Sequence, residues 1–485
     1  MSEPVVIQGG MGTGVSNWRL AQAVARTGQM GVVSGTALDN VMIRRLQDGD
    51  LDGDILRALR HFPDSGMAQR VLDRYYITGG RKEGVPYKTA PMYSLTPAKD
   101  LLELTVTANF VEVFLAKEGH NGPVGVNFLE KIKMPALPSI YGAILAGVDY
   151  VLMGAGIPRA IPAILDKLSS HEAVSLKINV EGASAEDDFR ITFNPRELMK
   201  GRFAPLKRPK FLAIVSSSVL AATLAKKSTG RVDGFVVEGP TAGGHNAPPR
   251  GPLQLSAKGE PVYGPRDEVD PAEMKKLGLP FWLAGSYAAP EKLQQALGVG
   301  AAGVQVGTVF AYCEESGLTE KIKEWVIRKV LGGKIEVFTD PVASPTGFPF
   351  KIVQLEGTCS DPAEYAARSR ICDLGYLRTV FKRKDGTVGY RCPGEPVETY
   401  LQKEGNEEDT KGRKCLCNGL MANVGIGQSQ RSGYQERPLV TSGDDIARIG
   451  QFISQAKLSY SAAEVVSYLL GKLIPVSPVI SGGSI

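Results

Sequence analysis

Four histidines occur in 485 residues. One of them, His245, stands in VVEGPTAGGHNAPPRG, Val236 to Gly251, directly behind Gly243 and Gly244 at the end of an apolar run. An imidazole hydrogen-bonds anions and exchanges protons near neutral pH, and residues without Cβ let the backbone approach a bound group closely. The combination reads as an active-site loop, in preference to a turn with a surface histidine or a capped helix start. His61, His120 and His171 lie in helical or loop contexts with no partner pattern and read as structural.

Further glycine-bearing stretches could hold a phosphate, because backbone N–H groups in such turns can face an anion. LAGSYAAPEKL places Gly285 and Ser286 after an apolar run and before a helix, and QVGTVF places Gly307 and Thr308 along another. GGMGTG, Gly9 to Gly14, lacks the GxGxxG spacing of a dinucleotide fingerprint and reads as a flavin-compatible loop. Six cysteines are sparse for this length and suit thiols in a reducing compartment. Cys359, Cys372, Cys392, Cys415 and Cys417 fall in the last third, with Cys313 alone earlier. Four of them could hold zinc. KCLCNG, however, offers Cys-x-Cys rather than paired CxxC knuckles and the other spacings are long, so the expectation is structural thiols and no metal.

The elements that must carry these residues are short apolar runs of the kind buried in a parallel sheet. Eight are visible: Val5–Gly9, Met30–Gly35, Val124–Leu129, Asp149–Gly156, Phe211–Ser217, Gly234–Gly239, Phe281–Ser286 and Gly303–Phe310. Helical periodicity follows most of them, as in NWRLAQAVARTG, SVLAATLAKKSTG and APEKLQQALGVG. The count predicts an α/β fold of the (β/α)8 TIM-barrel class, where loops after the strands carry the chemistry and a phosphate site commonly follows strands seven and eight. Residues 1–38 start the barrel, 39–120 form a mainly helical insertion, and 121–335 complete the barrel with a hairpin inserted near 173–195. Residues 336–485 form a Gly-, Pro- and Cys-containing extension ending in the helix-like SAAEVVSYLLGKLI. The segment CLCNGLMANVGIG within it is expected to pack on the barrel as a structural or site-covering piece.

Composition limits the partners. Hydrophobic residues at 43% and charged residues at 22% are a globular mixture, and no apolar run is long enough to span a bilayer. A net charge of +5 is too dilute for a nucleic-acid footprint. The N-terminus passes at once into strand-like sequence without a secretion signal, so the expectation is a cytoplasmic protein with no membrane or nucleic-acid partner.

IQGGMG, GVNFL, EGPTAGGH, LAGS and GAAGVQVGT occur here in an order that resembles the nitronate monooxygenase (2-nitropropane dioxygenase-like) family, in a long bacterial form whose tail carries RICDLGYLR and CLCNGLMANVGIGQ. The resemblance spans Val5 to Leu318 and extends to flavin-dependent enoyl-ACP reductases. It implies an FMN-containing barrel in which Asn127 and Gly243 contact FMN, Gly285 helps hold its phosphate, Gln305, Val306, Gly307 and Thr308 complete the phosphate cradle, and His245 is catalytic. The cofactor-binding set is then Gly10, Met11, Gly12, Asn127, Glu238, Gly243, Gly244, Gly285, Ser286, Gln305, Val306, Gly307 and Thr308. Two positions depart from the family pattern: Glu238 replaces Gln and Ser286 replaces Gly. A serine can still donate to phosphate, but a carboxylate beside a reduced flavin disfavours the flavin anion unless a cation or hydrogen bonds offset it.

The implied reaction passes an electron from a nitronate to FMN, and O2 then yields a carbonyl compound and nitrite. An NAD(P)H-dependent enoyl-thioester reductase on the same barrel is the alternative, and a non-catalytic flavin-binding or partner-docking protein is a second. The expected partners are a small molecule, a nitronate or an enoyl thioester, together with O2; a homodimer is compatible with the chain.

Overall fold

Val, Ile and Leu dominate the eight apolar runs, and in the computed structural model all eight are strands of one parallel sheet. The structure describes residues 3–201 and 203–472. The strands are β1 Val6–Gln8, β2 Gly31–Ser34, β3 Val124–Leu129, β4 Tyr150–Gly154, β5 Lys210–Val215, β6 Gly234–Glu238, β7 Phe281–Ala284 and β8 Gly303–Val306. Their order is β1-β8-β7-β6-β5-β4-β3-β2. The ring closes through a parallel bridge of Ile7 with Met30, where Gln8 N–H donates to Met30 C=O at 2.9 Å and Met30 N–H to Val6 C=O at 3.1 Å. Ile7, Met30, Val32, Leu152, Leu212, Val236 and Trp282 fill the interior. The Trp282 indole N–H is satisfied by Pro4 C=O at 2.7 Å. The protein is a (β/α)8 barrel.

One expected boundary is wrong. The run Gly303–Phe310 stops being strand at Val306, and Thr308–Ala311 forms a helical turn instead. The Phe310 and Ala311 N–H groups turn back onto Gly307 C=O at 2.8 and 3.1 Å. Gly307 and Thr308 therefore sit at the end of the strand.

Helices begin where the sequence supplies caps. Asn17 accepts from Leu20 N–H ahead of Trp18–Arg26, and Ser217 accepts from Leu220 N–H ahead of Ser218–Lys227. Between β2 and β3 lie helices Leu38–Gln47, Asp54–Leu59, Ser65–Tyr75 and Lys99–Lys117. The last is buried over most of its length because it packs on Trp18–Arg26, Ala136–Leu145 and the three shorter helices. Val174–Lys177 and Arg190–Phe193 pair as an antiparallel hairpin with alternating burial. No helix among the described residues is long and apolar enough to cross a membrane.

Beyond helix Glu320–Leu331 the chain forms two antiparallel ribbons, Val337–Asp340 with Phe350–Val353 and Thr379–Lys382 with Val388–Arg391, then helices Leu416–Asn423 and Ala462–Leu469. The last is started by a Ser461–Glu464 capping box. Leu473 and Ile474, expected to continue it, lie outside the described residues. Long-range polar contacts tie this region to the barrel. Arg44 donates to Ile426 C=O at 2.7 Å and the Tyr376 hydroxyl donates to Asp39 and accepts from Asn40, both through helix Leu38–Gln47, while Lys351 and Asp444 pair within the region at 2.7 Å. Within the region Arg368 and Glu436 form a fully buried two-pronged pair at 2.5 and 2.8 Å.

Candidate active site

The C-terminal ends of the strands open into one cavity, and the structure brings all of the sequence-derived site residues to its wall. Gly10, Met11 and Gly12 come from the loop after β1, Asn127 from β3, and Glu238 from the end of β6. Gly243, Gly244 and His245 follow in the next loop. Gly285 and Ser286 leave β7, while Gln305 and Val306 end β8 and pass to Gly307 and Thr308.

Close packing explains several glycines. A Cβ on Gly10 would lie 2.5 Å from Asn127 Cβ, whose amide donates to Gly10 C=O at 3.2 Å. Gly285 and Ser286 are consecutive left-handed residues, with φ of 96° and 58°. Glycine adopts that region freely, but serine does so at a cost of about 1 kcal/mol or more, which marks a turn held in shape by its surroundings.

His245 is pinned from the C-terminal side. Its Nε2 lies 2.7 Å from Ser344 Oγ, its ring packs edge-on against Phe350 at 4.7 Å, and Gly244 N–H donates to Thr441 Oγ1 at 3.0 Å. Burial, then the charge of Lys131, pushes His245 well below the usual imidazole range, so it is neutral at physiological pH. Lys131, two residues after β3, sits 3.9 Å over the Phe348 ring and 3.4 Å from Thr346 Oγ1. Burial pulls its ammonium down to about 7, against the pull of Glu238 and Glu130. Burial also pushes the Glu238 carboxyl up to about 7, with Lys131 opposing. The site thus holds a neutral imidazole beside a carboxyl and an amine that both titrate near neutrality.

Two observations test whether a flavin suits these residues. Asn127 Oδ1 and Gln305 Oε1 are buried acceptors without a hydrogen-bond partner among the described residues, and both residues line the cavity. Such orphans need a polar ligand. The Gly285–Ser286 and Gly307–Thr308 turns converge on the same cavity, and a Cβ on Gly307 would meet only the Met11 side chain, with Sδ at 3.3 Å and Cγ at 3.5 Å. The residues fit the group. One detail differs from expectation: the Thr308 hydroxyl is already engaged, accepting from Gly443 N–H at 3.1 Å and donating to Asp445. Burial pushes the Asp445 carboxyl up, toward the neutral form that tolerates a nearby anion.

Residues 200–340 match the family model for nitronate monooxygenase. The matched stretch contains β5 to β8, the His245 loop and both glycine turns. A stretch of 233 residues is 27% identical to a (3aS,4S,5R,7aS)-5-hydroxy-7a-methyl-1-oxo-octahydro-1H-indene-4-carboxyl-CoA dehydrogenase of Mycobacterium tuberculosis, over 45% of this chain and 61% of that relative. Among solved structures, FabK from Thermotoga maritima is similar over 97% of this chain and 93% of its own, with TM-score 0.46 and 15% identity. A nitroalkane oxidase from Streptomyces ansochromogenes is similar over 97% and 95%, with TM-score 0.44 and 13% identity.

Sequence reasoning missed two sets of residues. Lys131 had a signal, since it directly follows a barrel strand where chemistry gathers. The other set comes from the C-terminal region, where Phe350, Tyr376, Leu377, Leu416, Leu420, Asn423, Thr441, Ser442, Gly443 and Asp445 complete the wall. No local pattern marks them; only CLCNGLMANVGIG was expected to lie over the site.

Proposed function

We propose that the protein is an FMN-dependent nitronate monooxygenase, oxidising alkyl nitronates with O2 to carbonyl compounds and nitrite. The reading is carried by His245 and Glu238 on the wall of a cavity whose buried amide acceptors, Asn127 Oδ1 and Gln305 Oε1, have no partner among the described residues, with the Lys131 charge acting on both titratable groups. FMN, when bound, supplies the electron transfer that no side chain here can perform. In this reading Asn127 accepts from the flavin ring, as does Gln305, whose unpartnered amide oxygen suits a ring N–H rather than the phosphate cradle implied by the resemblance, and Gly10, Met11, Gly12, Gly243 and Gly244 line it. The backbone turns at Gly285–Ser286 and Val306–Thr308 cradle its phosphate. Lys131 attracts the anionic nitronate. His245, held by Ser344, hydrogen-bonds the anionic nitronate or exchanges a proton at the substrate carbon. Glu238, held largely as the neutral acid below about pH 7, donates a hydrogen bond as the family's Gln would, which removes the charge conflict expected from its sequence. Leu377, Leu416 and Leu420 exclude bulk water from the opposite side.

A second reading, an NAD(P)H-dependent reductase of enoyl thioesters, draws on that apolar wall, which suits an acyl chain, and on the CoA thioester in the name of the Mycobacterium tuberculosis relative. Anaerobic mixing separates the two. Bleaching of the bound flavin by an alkyl nitronate, with little effect of NADH or NADPH, is the expected result. Rapid bleaching by a nicotinamide followed by reoxidation with an enoyl thioester would replace the first reading with the second. Full flavin occupancy with neither response would leave a non-catalytic flavin protein.

A further inference from the structure

The C-terminal region covers the cavity with apolar side chains, but one short piece of it is polar. Segment 441–445 puts Thr441, Ser442, Gly443 and Asp445 on the cavity wall, although it lies outside the stretch 200–340 that matches the family model. It runs as a strap between the loop after β6 and the turn after β8. Gly244 N–H donates to Thr441 Oγ1 at 3.0 Å, Gly443 N–H to Thr308 Oγ1 at 3.1 Å and Asp444 N–H to Thr241 C=O at 3.1 Å. From the ribbon side Val353 N–H donates to Val440 C=O at 2.9 Å, and Lys351 holds Asp444 at 2.7 Å while its own N–H reaches Gly244 C=O at 3.0 Å.

Within this anchored strap the backbone N–H of Ser442 has no acceptor among the described residues, and Ser442 is 4% exposed. Buried peptide N–H groups are nearly always paired, so one left open beside a cavity points to an acceptor on a ligand. It does not stand alone. The N–H groups of Gly285, Ser286, Gly307 and Thr308, on the turns after β7 and β8, are also without an acceptor among the described residues, and all four residues line the same cavity.

The strap is packed against both turns. A Cβ on Gly443 would lie 2.7 Å from Thr308 Oγ1 and 3.0 Å from Thr241 C=O, and a Cβ on Gly285 would lie 2.9 Å from Thr241 Oγ1. Open N–H groups from three chain segments thus gather at one end of the cavity. Such a concavity of backbone donors binds anions, and each bond to a charged oxygen is about twice as strong as a neutral one. The carboxyls of the strap are offset: Asp444 is paired with Lys351, and Asp445 accepts from the Thr308 hydroxyl while burial pushes it up, toward its neutral form.

We propose that Ser442 is a phosphate-binding residue, its backbone N–H joining those of the turns after β7 and β8 on the terminal phosphate of FMN. The inference rests on the reading of this cavity as an FMN site. It gives the C-terminal region a share in recognising the cofactor, beyond enclosing it.

The test compares FMN with riboflavin, which carries the same ring and ribityl chain without the phosphate. Each is titrated into the flavin-free full chain and followed by flavin fluorescence. Ser442→Pro deletes the N–H. Gly443→Ala, at an ordinary φ of −82°, pushes the strap off Thr308 and decides the matter if the first variant fails to fold. Each should weaken FMN binding by roughly tenfold to a hundredfold, the worth of one hydrogen bond to a charged group, and leave riboflavin affinity unchanged. Equal weakening of both flavins would mean that the strap only encloses the ring, and unchanged FMN affinity would place the phosphate elsewhere; either result overturns the proposal. Wild-type protein that binds neither flavin would fail the cofactor reading itself, and the inference with it.

Discussion

The two walls of the cavity are made differently. The barrel wall is glycine, amide and titratable side chain: Gly10 to Gly12, Asn127, Glu238, His245, Gln305 to Thr308. The C-terminal wall is chiefly apolar, with Phe350, Leu377, Leu416 and Leu420 beside Tyr376 and Asn423. Enclosure by the second wall gives the first its electrostatics. Burial is the largest cause of the shifts at His245, Lys131 and Glu238, and the ring and hydroxyl that hold His245 belong to Phe350 and Ser344. Chemistry lies on the barrel, and the dielectric that tunes it comes from elsewhere in the chain.

The largest effect should follow from His245→Asn. Loss of proton handling lowers kcat/KM by roughly a hundredfold to ten-thousandfold, with little change in Tm. Because the wild-type imidazole is neutral, the loss should appear in kcat and should not grow as pH falls. A loss confined to KM that deepens toward low pH would mean a cationic histidine, and near-normal activity would take the chemistry off the barrel wall altogether.

Gly307→Val comes next. Its new side chain meets only the flexible tip of Met11 within the fold, so the protein should keep its Tm yet purify with a small fraction of the wild-type flavin. Unchanged occupancy would place the phosphate away from the turn after β8.

Tyr376→Phe probes the seam between the walls. Removing the hydroxyl leaves the buried Asp39 and Asn40 without that partner, at about 1–3 kcal/mol in denaturant unfolding. Flavin content should stay as it is. Loss of flavin together with stability would show that the cover is needed for binding as well as for enclosure.

The smallest effect is expected from Glu238→Gln. Burial raises this carboxyl from 4.5 to about 7, so the folded state holds the proton more tightly than the unfolded chain. Stability from this group is fully present below pH 4.5 and lost as pH rises through about 7. Wild type should therefore lose stability relative to Glu238→Gln between those limits, and the variant's activity profile should flatten near pH 7. Equal slopes would mean that Lys131 keeps the carboxylate charged.

The barrel was legible because its signals are local. Each strand is a short apolar run and each loop of the candidate site begins where such a run ends, so His245 and the two glycine turns could be named from residue type and order, whereas Asn127 and Glu238 came from the family resemblance. Gly307 and Thr308 were placed along a strand because apolar residues continue through Val309 and Phe310. Periodicity cannot separate a buried strand end from a buried helical turn; the hydrogen bonds back to Gly307 C=O decide it.

What the sequence determined by itself is the parallel barrel and the chemical character of one wall, since both follow from residue type and from spacing over a few positions. Tertiary structure alone decided three things. It set the neutrality of His245 and the shared titration range of Lys131 and Glu238, for which burial is the largest cause, with Ser344 and Phe350 reaching His245 from far along the chain. It laid Leu416, Leu420 and Asn423 over the site. And it gathered Cys372, Cys392, Cys415 and Cys417 around one void, because a ribbon and a helix start close a distance in space that their spacing along the chain conceals.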